Sequence, residues 1–395
     1  MKYNIAFDSI DAKDELFFFD VGSLYEHLES LNDTRDPRGL RYPLAVVLVF
    51  VILAKLAGEN ELRGIAQWIA LREELLRQAL RFERKSVPHA TTYSRILGRV
   101  VDLEQLQQAV SLFLTSRLQA SAWSEINLDG KTMRGTIPAG QTQGLHLLAA
   151  YLPSEGIVLY QIEVGSKENE IVAAPRLLKC IDLQGKVVTG DAMFAQRELS
   201  RQVVEAGGDY VWTVKNNQAS LRADIEALFE IEEGHTKLKA MSNDFERAES
   251  TDKLHGRLEQ RSITTSSMLS GQVEWPHLGQ VFKIEREVEL LSTGNRRSEI
   301  SYGVTSLTSK DANGARLLEI VRKHWEIENC LHYRKDRTLR EDYCRLRRGR
   351  AAEAMAIINN LVVGLVLRQG VKNLPDARRR YNAQPLEALK LILHC

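Results

Sequence analysis

Three acidic residues stand where a folded chain could bring them together: Asp129 in EINLDGK, Asp191 at the end of KVVTGD, and Glu328 in HWEIENCLH. Carboxylate oxygens are hard ligands that suit Mg²⁺. A pair of such ions can activate a water or a 3′-OH and stabilise the oxygen leaving a phosphodiester. That chemistry needs the carboxylates delivered to one place by separate elements, so the elements decide whether the three can meet.

In EINLDGK the two-residue strand period puts Ile126 and Leu128 on one face and Asn127, Asp129 and Lys131 on the other, with Lys131 suited to a phosphate. Asp-Gly is also a tight-turn signal, so Asp129 could instead shape a hairpin. Val187, Val188 and Thr189 read as a buried strand ending at Gly190 and Asp191, where open α/β sheets place ligand-binding groups. Asp191 could otherwise cap a helix beginning near Gln196, although the gap is too long for a direct cap. In RLLEIVRKHWEIENCLHYRKD, a rotation of about 100° per residue gathers Leu317, Ile320, Val321, His324, Glu328, Leu331 and Lys335 on one helical face. Glu326 then points the opposite way, into solvent. An acid inside an apolar stripe is costly unless it is paired, with Lys335 or an arginine, or holds a metal.

The elements that would position these residues follow from texture. The 395 residues, 44% hydrophobic and 27% charged, suit two or three globular domains, and a net charge of +1 names no partner by itself. Residues 1–121 read as a separate helical domain; its apolar run from Leu44 to Ala54 is shorter than the roughly 20 residues that span a bilayer, so it is expected to be a buried core helix. Thr91 is expected to N-cap a short helix carrying Tyr93, Arg95 and Arg99, either an ordinary bundle helix or the second helix of a helix-turn-helix. From about 122 the order is three strands, helix, strand, helix, strand. That order predicts an α/β core with a mixed five-stranded sheet and flanking helices, the RNase H-like arrangement, with its first part over 122–231. Residues 232–308 read as an inserted β-rich subdomain, and 309–395 return to helix to complete the core.

Four scattered cysteines give neither zinc spacing nor a disulfide framework, and the acidic start does not resemble a signal peptide; both point to the cytoplasm. Basic residues dominate RKDRTLREDYCRLRRGR, directly after the Glu328 segment, and Arg345, Arg347, Arg348 and Arg350 are candidates for a phosphate backbone, with Lys215 and Asn216 beside them. A solvated charged loop is the alternative. His89, Trp68 and Trp123 are expected to serve packing or surface, since nothing pairs them with a nucleophile.

These residues resemble the H-repeat-associated insertion-sequence transposases, within the larger group of DDE transposases. The resemblance rests on DPRGLRYPLAVVL (36–48), LDGKTMRG (128–135), VVTGDAMFAQRE (187–198), GGDYVWTVKNNQ (207–218) and HWEIENCLH (324–332), in the family's order and across most of the chain. It implies a catalytic and metal-holding triad of Asp129, Asp191 and Glu328, two Mg²⁺ ions with Mn²⁺ as a substitute, and cutting of transposon ends followed by joining of the 3′-OH to target DNA. It also implies double-stranded DNA as partner, a homodimer at least on DNA, no membrane, and a nucleoid-associated cytoplasmic protein. Related transposases carry a Tyr, Arg, Glu, Lys signature whose positions here read Val321, His324, Glu328 and Lys335. Only the last two match, and a protonated His324 would have to stand in for the arginine at a phosphate. Lys131 and Lys335 would hold phosphates. Rival expectations are an endonuclease that cuts without joining and a domesticated DNA-binding protein. A carboxylate-paired glycosidase is disfavoured by the strand order.

Overall fold

The computed structural model describes residues 19–81, 86–116, 118, 124–234, 244–254 and 256–394. Trp123 and the ends of the chain lie outside them. Helices α1 (Leu24–Glu29), α2 (Leu44–Leu56), α3 (Leu62–Ala70), α4 (Glu73–Ala79), α5 (Ala90–Arg99) and α6 (Leu103–Thr115) come first. The core follows as β1 (Ser124–Met133), β2 (Leu145–Leu152), β3 (Ile157–Val164), α7 (Glu170–Leu178), β4 (Lys186–Gly190), α8 (Arg197–Glu205), β5 (Asp209–Val214) and α9 (Ala219–Gly234). Then come β6 (Glu246–Leu254), β7 (Arg257–Ser266), β8 (Gln280–Leu290), β9 (Arg296–Thr305), α10 (Gly314–His324), α11 (Ala351–Arg368), α12 (Leu374–Ala383) and α13 (Pro385–Leu393).

Strands β1, β2 and β3 form an antiparallel meander, while β4 and β5, each reached through a helix, run parallel to β1 and to each other. The order β3-β2-β1-β4-β5 is the RNase H-like sheet expected from the alternation of elements. The later strands extend this sheet: β9 pairs antiparallel with β5, and β8, β7 and β6 follow outward, so that nine strands share one sheet. Hairpins added to an open edge satisfy its unpaired backbone groups, which accounts for an insert of this composition continuing the sheet.

Helix α2 is buried along its whole length and packs against α1, α3, α11, α12 and α13. Helix α11 is apolar on nearly all sides and is covered by β3, α5, α6, α2 and α12. It is long and apolar enough to cross a membrane, yet it lies inside the molecule. A helix without a polar face must be covered all round. The N-terminal helices therefore share one continuous core with the last helices instead of standing apart as composition suggested. Helix α5 begins at Ala90 and is capped by His89, whose ring nitrogen accepts from the Thr91 amide; the expected cap, Thr91, sits within the first turn.

The segment expected to carry one helical face from Leu317 to Lys335 changes its winding. Helix α10 ends at His324, and Ile327–His332 and Arg334–Thr338 wind as wider π-type turns, one of which shows in the Leu339 amide donating to the carbonyl of Arg334, five residues back, at 3.0 Å.

Candidate active site

The polar face of β1 is matched residue by residue to α10 and the π-wound segment. Glu125, buried, pairs with Arg316 at 2.6 Å and Lys323 at 3.5 Å. Asn127, fully buried, donates to the carbonyls of Lys323 and His324 at 2.7 and 3.1 Å and accepts from Thr189 of β4 at 2.9 Å. Asp129 lies 3.0 Å from Nε2 of His332. Lys131 meets Asp336 at 2.7 Å and Asp342 at 3.7 Å. The span from Glu125 to Lys131, at a strand rise of about 3.3 Å per residue, is comparable with the helical advance from Lys323 to Asp336. Alternation along the strand thus docks the whole third-carboxylate segment.

Asp129 does not turn the chain. It pairs with Ala149, and Gly130 with Leu148, in the middle of the β1–β2 ladder. Parallel pairing joins Asn127 to Thr189, and two residues further along each chain stand Asp129 and Asp191. Strand β4 ends at Gly190, where a Cβ would crowd the ring of Phe194. Asp191 then accepts from the amide of Met193 at 3.0 Å and caps a single short turn, while α8 starts later, from Gln196. Desolvation holds the Asp191 carboxyl above its ordinary value; the Met193 amide opposes this, the negative charges of Glu170 and Asp129 add to it, and Lys215 opposes it.

Glu328 and Glu326 differ from the α-helical expectation. Glu328 is exposed, and among the described residues no hydrogen bond or ion pair engages its carboxylate. Glu326 is half-buried, and desolvation raises its carboxyl above the usual range. The cause is the wider winding: residues that fall on one stripe at about 100° per residue fall out of step once each turn takes in more than 3.6 residues. The buried stripe is now Ile327, Leu331, His332 and Lys335. Glu328 lies midway in sequence between His324 and His332.

The phosphate candidates divide. Lys335 is buried, its ammonium 3.2 Å from the buried Glu341, so it is not on the surface to meet a phosphate. Lys131 is held between two aspartates. The His324 ring sits 3.0 Å from the Thr189 hydroxyl, and desolvation lowers its pKa against the pull of Asp129. That favours the neutral ring and removes the protonated stand-in for arginine. Lys215, Asn216, Arg345, Arg347, Arg348, Arg350 and Arg95 are exposed, with Asn216 accepting from Arg222 and Arg350 paired to Glu353. Trp68 is buried and donates to Asn382.

Sequence reasoning missed His146, Glu170 and His332. A lone histidine carries no signal, and Glu170 opens a helix, where an acid is ordinary.

A divalent cation is implied by the carboxylates. Among the described residues no three acid, histidine or cysteine side chains are already gathered closely enough to hold one. Mg²⁺, however, is usually bound by one or two carboxylates and completes its shell with water and substrate phosphate. Asp129 on β1 and Asp191 just past the end of β4 are all-oxygen donors, and among the described residues neither is bonded to an arginine or lysine, so the donor set fits.

With this geometry in hand, the likenesses to known proteins are specific. A family model described as "Transposase DDE domain" matches residues 124–365, and one described as "DDE_Tnp_1-associated" matches residues 25–114. "H repeat-associated putative transposase YhhI" of Escherichia coli is 26% identical over 88% of this chain and 91% of its own length. "Putative transposase YncI" of Escherichia coli O157:H7 is 28% identical over 88% of this chain and 87% of its own. A structure of piggyBac transposase in a synaptic complex with hairpin DNA covers 93% of this chain and 77% of its own at 9% identity and a TM-score of 0.41, too low to carry an argument. The DDE match alone spans more than half of the chain, from β1 into α11, and the chain belongs to the DDE-domain transposase family.

Proposed function

We propose that this transposase cuts DNA at the ends of its element and joins the freed 3′-OH to target DNA, using Asp129, Asp191 and Glu328 as metal-holding carboxylates. The observation that carries the reading is the pairing register: Asp129 and Asp191 follow a parallel pair on adjacent strands, while Asn127, Asp129 and Lys131 engage the segment that bears Glu328. Two bound Mg²⁺ would supply a more acidic attacking hydroxyl and charge stabilisation at the leaving oxygen.

The chain's own residues do the remainder. Asp129 and Asp191 hold the ions from β1 and β4. His332 restrains Asp129 from behind. Glu328, exposed, closes the site when DNA is in place. Lys215, close enough to act on the charge of Asp191, binds the phosphate flanking the cut, with Asn216 beside it. Arg345, Arg347 and Arg348 track the backbone, and Arg95 on α5 reads or grips the element end. Two ends brought together call for two copies related by a two-fold axis. The protein works in the cytoplasm, on the nucleoid.

The test is end cleavage. Linear DNA bearing the element's own terminal repeats is incubated with Mg²⁺ and the wild-type, Asp129→Asn or Glu328→Gln protein. Nicking at the repeat boundary by wild type alone is expected. Nicking retained by both variants would remove these carboxylates from the chemistry.

A further inference from the structure

Away from the carboxylates, positive charge gathers without relief where α12 meets the end of α2. Arg378 of α12 is 7% exposed, and neutral oxygens hold its guanidinium: the carbonyls of Lys55 at 3.2 Å, Thr338 at 2.6 Å and Glu59 at 3.3 Å, and the side-chain oxygen of Asn60 at 2.8 Å. One N–H of its Nη1 is left unengaged. The same Asn60 oxygen accepts from the ammonium of Lys55 at 3.3 Å, and Lys55 is buried too. Among the described residues no carboxylate forms an ion pair with either cation: Glu59 acts on Arg378, and Glu341 on Lys55, only through charge, and Glu341 is already paired with Lys335. Buried cations without a paired anion are costly.

Arg378 also lines a cleft of about 340 Å³, together with Gly58, Arg337, Thr338, Arg379 and Asn382, and no acidic residue is among its lining. Arg337 is exposed and has no hydrogen bond or ion pair among the described residues, while Arg379 meets only Asp376 on its own helix. The side-chain oxygen of Asn382 is taken by Trp68 and Arg72, which leaves its amide N–H groups to donate. Forked guanidinium donors around a cleft without acids match a tetrahedral oxyanion. We propose that this cleft binds a phosphate group, held by Arg337, Arg378 and Arg379 with the amide of Asn382. The site is independent of the metal reading. Because the Thr338 carbonyl accepts from Arg378, an anion there braces the end of the segment that bears Glu328. The group comes from the backbone of a bound duplex or from free phosphate, which present the same oxyanion.

Inorganic phosphate is added to the full-length protein during urea unfolding, against chloride at equal ionic strength, with wild type and Arg337→Gln/Arg379→Gln compared. Phosphate strengthens burial in any protein, so the difference between the two proteins isolates the site. The wild-type midpoint should rise along a binding curve, and the variant should need about tenfold more phosphate for the same rise, as charge-assisted hydrogen bonds are lost. An equal response of both proteins overturns the proposal. Should the variant fail to fold, the wild type serves: phosphate should shield Arg337 and Arg379 from modification by phenylglyoxal while Arg347 stays reactive. Equal reactivity of all three with and without phosphate contradicts the site. Duplex DNA then separates the sources. If backbone phosphate fills the cleft, the duplex shields the same two arginines and the variant binds it with a flatter salt slope; if free phosphate does, the duplex does neither.

Discussion

Nε2 of His332 lies 3.0 Å from Oδ2 of Asp129, which ties the π-wound segment to the first core strand at the very residue proposed to hold metal. The two are not aligned as a hydrogen bond, so the contact is one of packing around a buried ring. His332→Ala should therefore leave the fold in place and reduce Mn²⁺ affinity, on the order of 10- to 100-fold, as loss of a group behind a ligand does. Titration of Mn²⁺ into the variant checks it; wild-type affinity would make the contact merely structural.

Asn127 is a different kind of neighbour. Its amide satisfies the carbonyls of Lys323 and His324, which end α10, and its oxygen accepts from Thr189. Asn127→Ala strands these groups in a buried place, and at about 1 kcal/mol for each the loss is roughly 3 kcal/mol. Urea unfolding should show it, together with weakened end cleavage because the Glu328 segment loses its anchor. A variant as stable as wild type would mean that water replaces the amide.

Lys55 of α2 is fully enclosed, and burial, with Arg378 nearby, pushes its pKa down to about 7 despite Glu341. The unfolded chain, with an ordinary lysine near 10.5, binds more protons between those two values, so this group makes stability rise with pH across about 7 to 10.5 and exacts its full cost below 7. Lys55→Met should stabilise the protein most below pH 7, by about 1–4 kcal/mol, and flatten the alkaline rise. Urea midpoints at pH 6 and pH 9.5 measure this. Parallel curves for the two proteins would show that Lys55 stays charged throughout.

The arginine loop makes a prediction about salt. Arg345, Arg347 and Arg348 are exposed, and the loop is fastened to α5 where the amide of Arg350 donates to Gly98 and a Cβ on Gly98 would strike the Arg348 carbonyl. If these side chains grip phosphates, replacing all three with glutamine should flatten the slope of log K against log salt by about 0.9 for each phosphate no longer neutralised. Fluorescence anisotropy with duplex DNA reads the slope. An unchanged slope would leave the loop as a solvated turn.

How much of this was legible depended on whether a rule of local geometry applied. The strand period put Asn127, Asp129 and Lys131 on one face, and the buried run into Gly190 put Asp191 at a strand end; the first expectation rests on alternation and the second on a continuous apolar run, and tertiary packing disturbed neither. The parallel crossovers followed from element order alone. The assignment of Glu326 to solvent and Glu328 to the stripe failed because it assumed an α-helical step through a segment that unwinds after His324. Nothing in HWEIENCLH announces that change. Glu170 was invisible for another reason: its place over Gly130 depends on how α7 returns across β2 and β3, a relation between distant residues that no local pattern encodes. The burial of Lys335 against Glu341 was likewise a tertiary fact, and a lysine after a catalytic helix reads as a phosphate ligand until its surroundings are known.

The proposed joining of DNA strands depends on Asp191 and its partners. The most direct measurement is a strand-transfer assay in Mg²⁺, with oligonucleotides ending in the exposed 3′-OH of the element's terminal repeat and a circular target. Wild type is predicted to give covalently joined product, and Asp191→Ala, at equal DNA binding, none. Joined product undiminished in Asp191→Ala would contradict the account, and cleavage of longer DNA with no joining by wild type would make the protein an endonuclease.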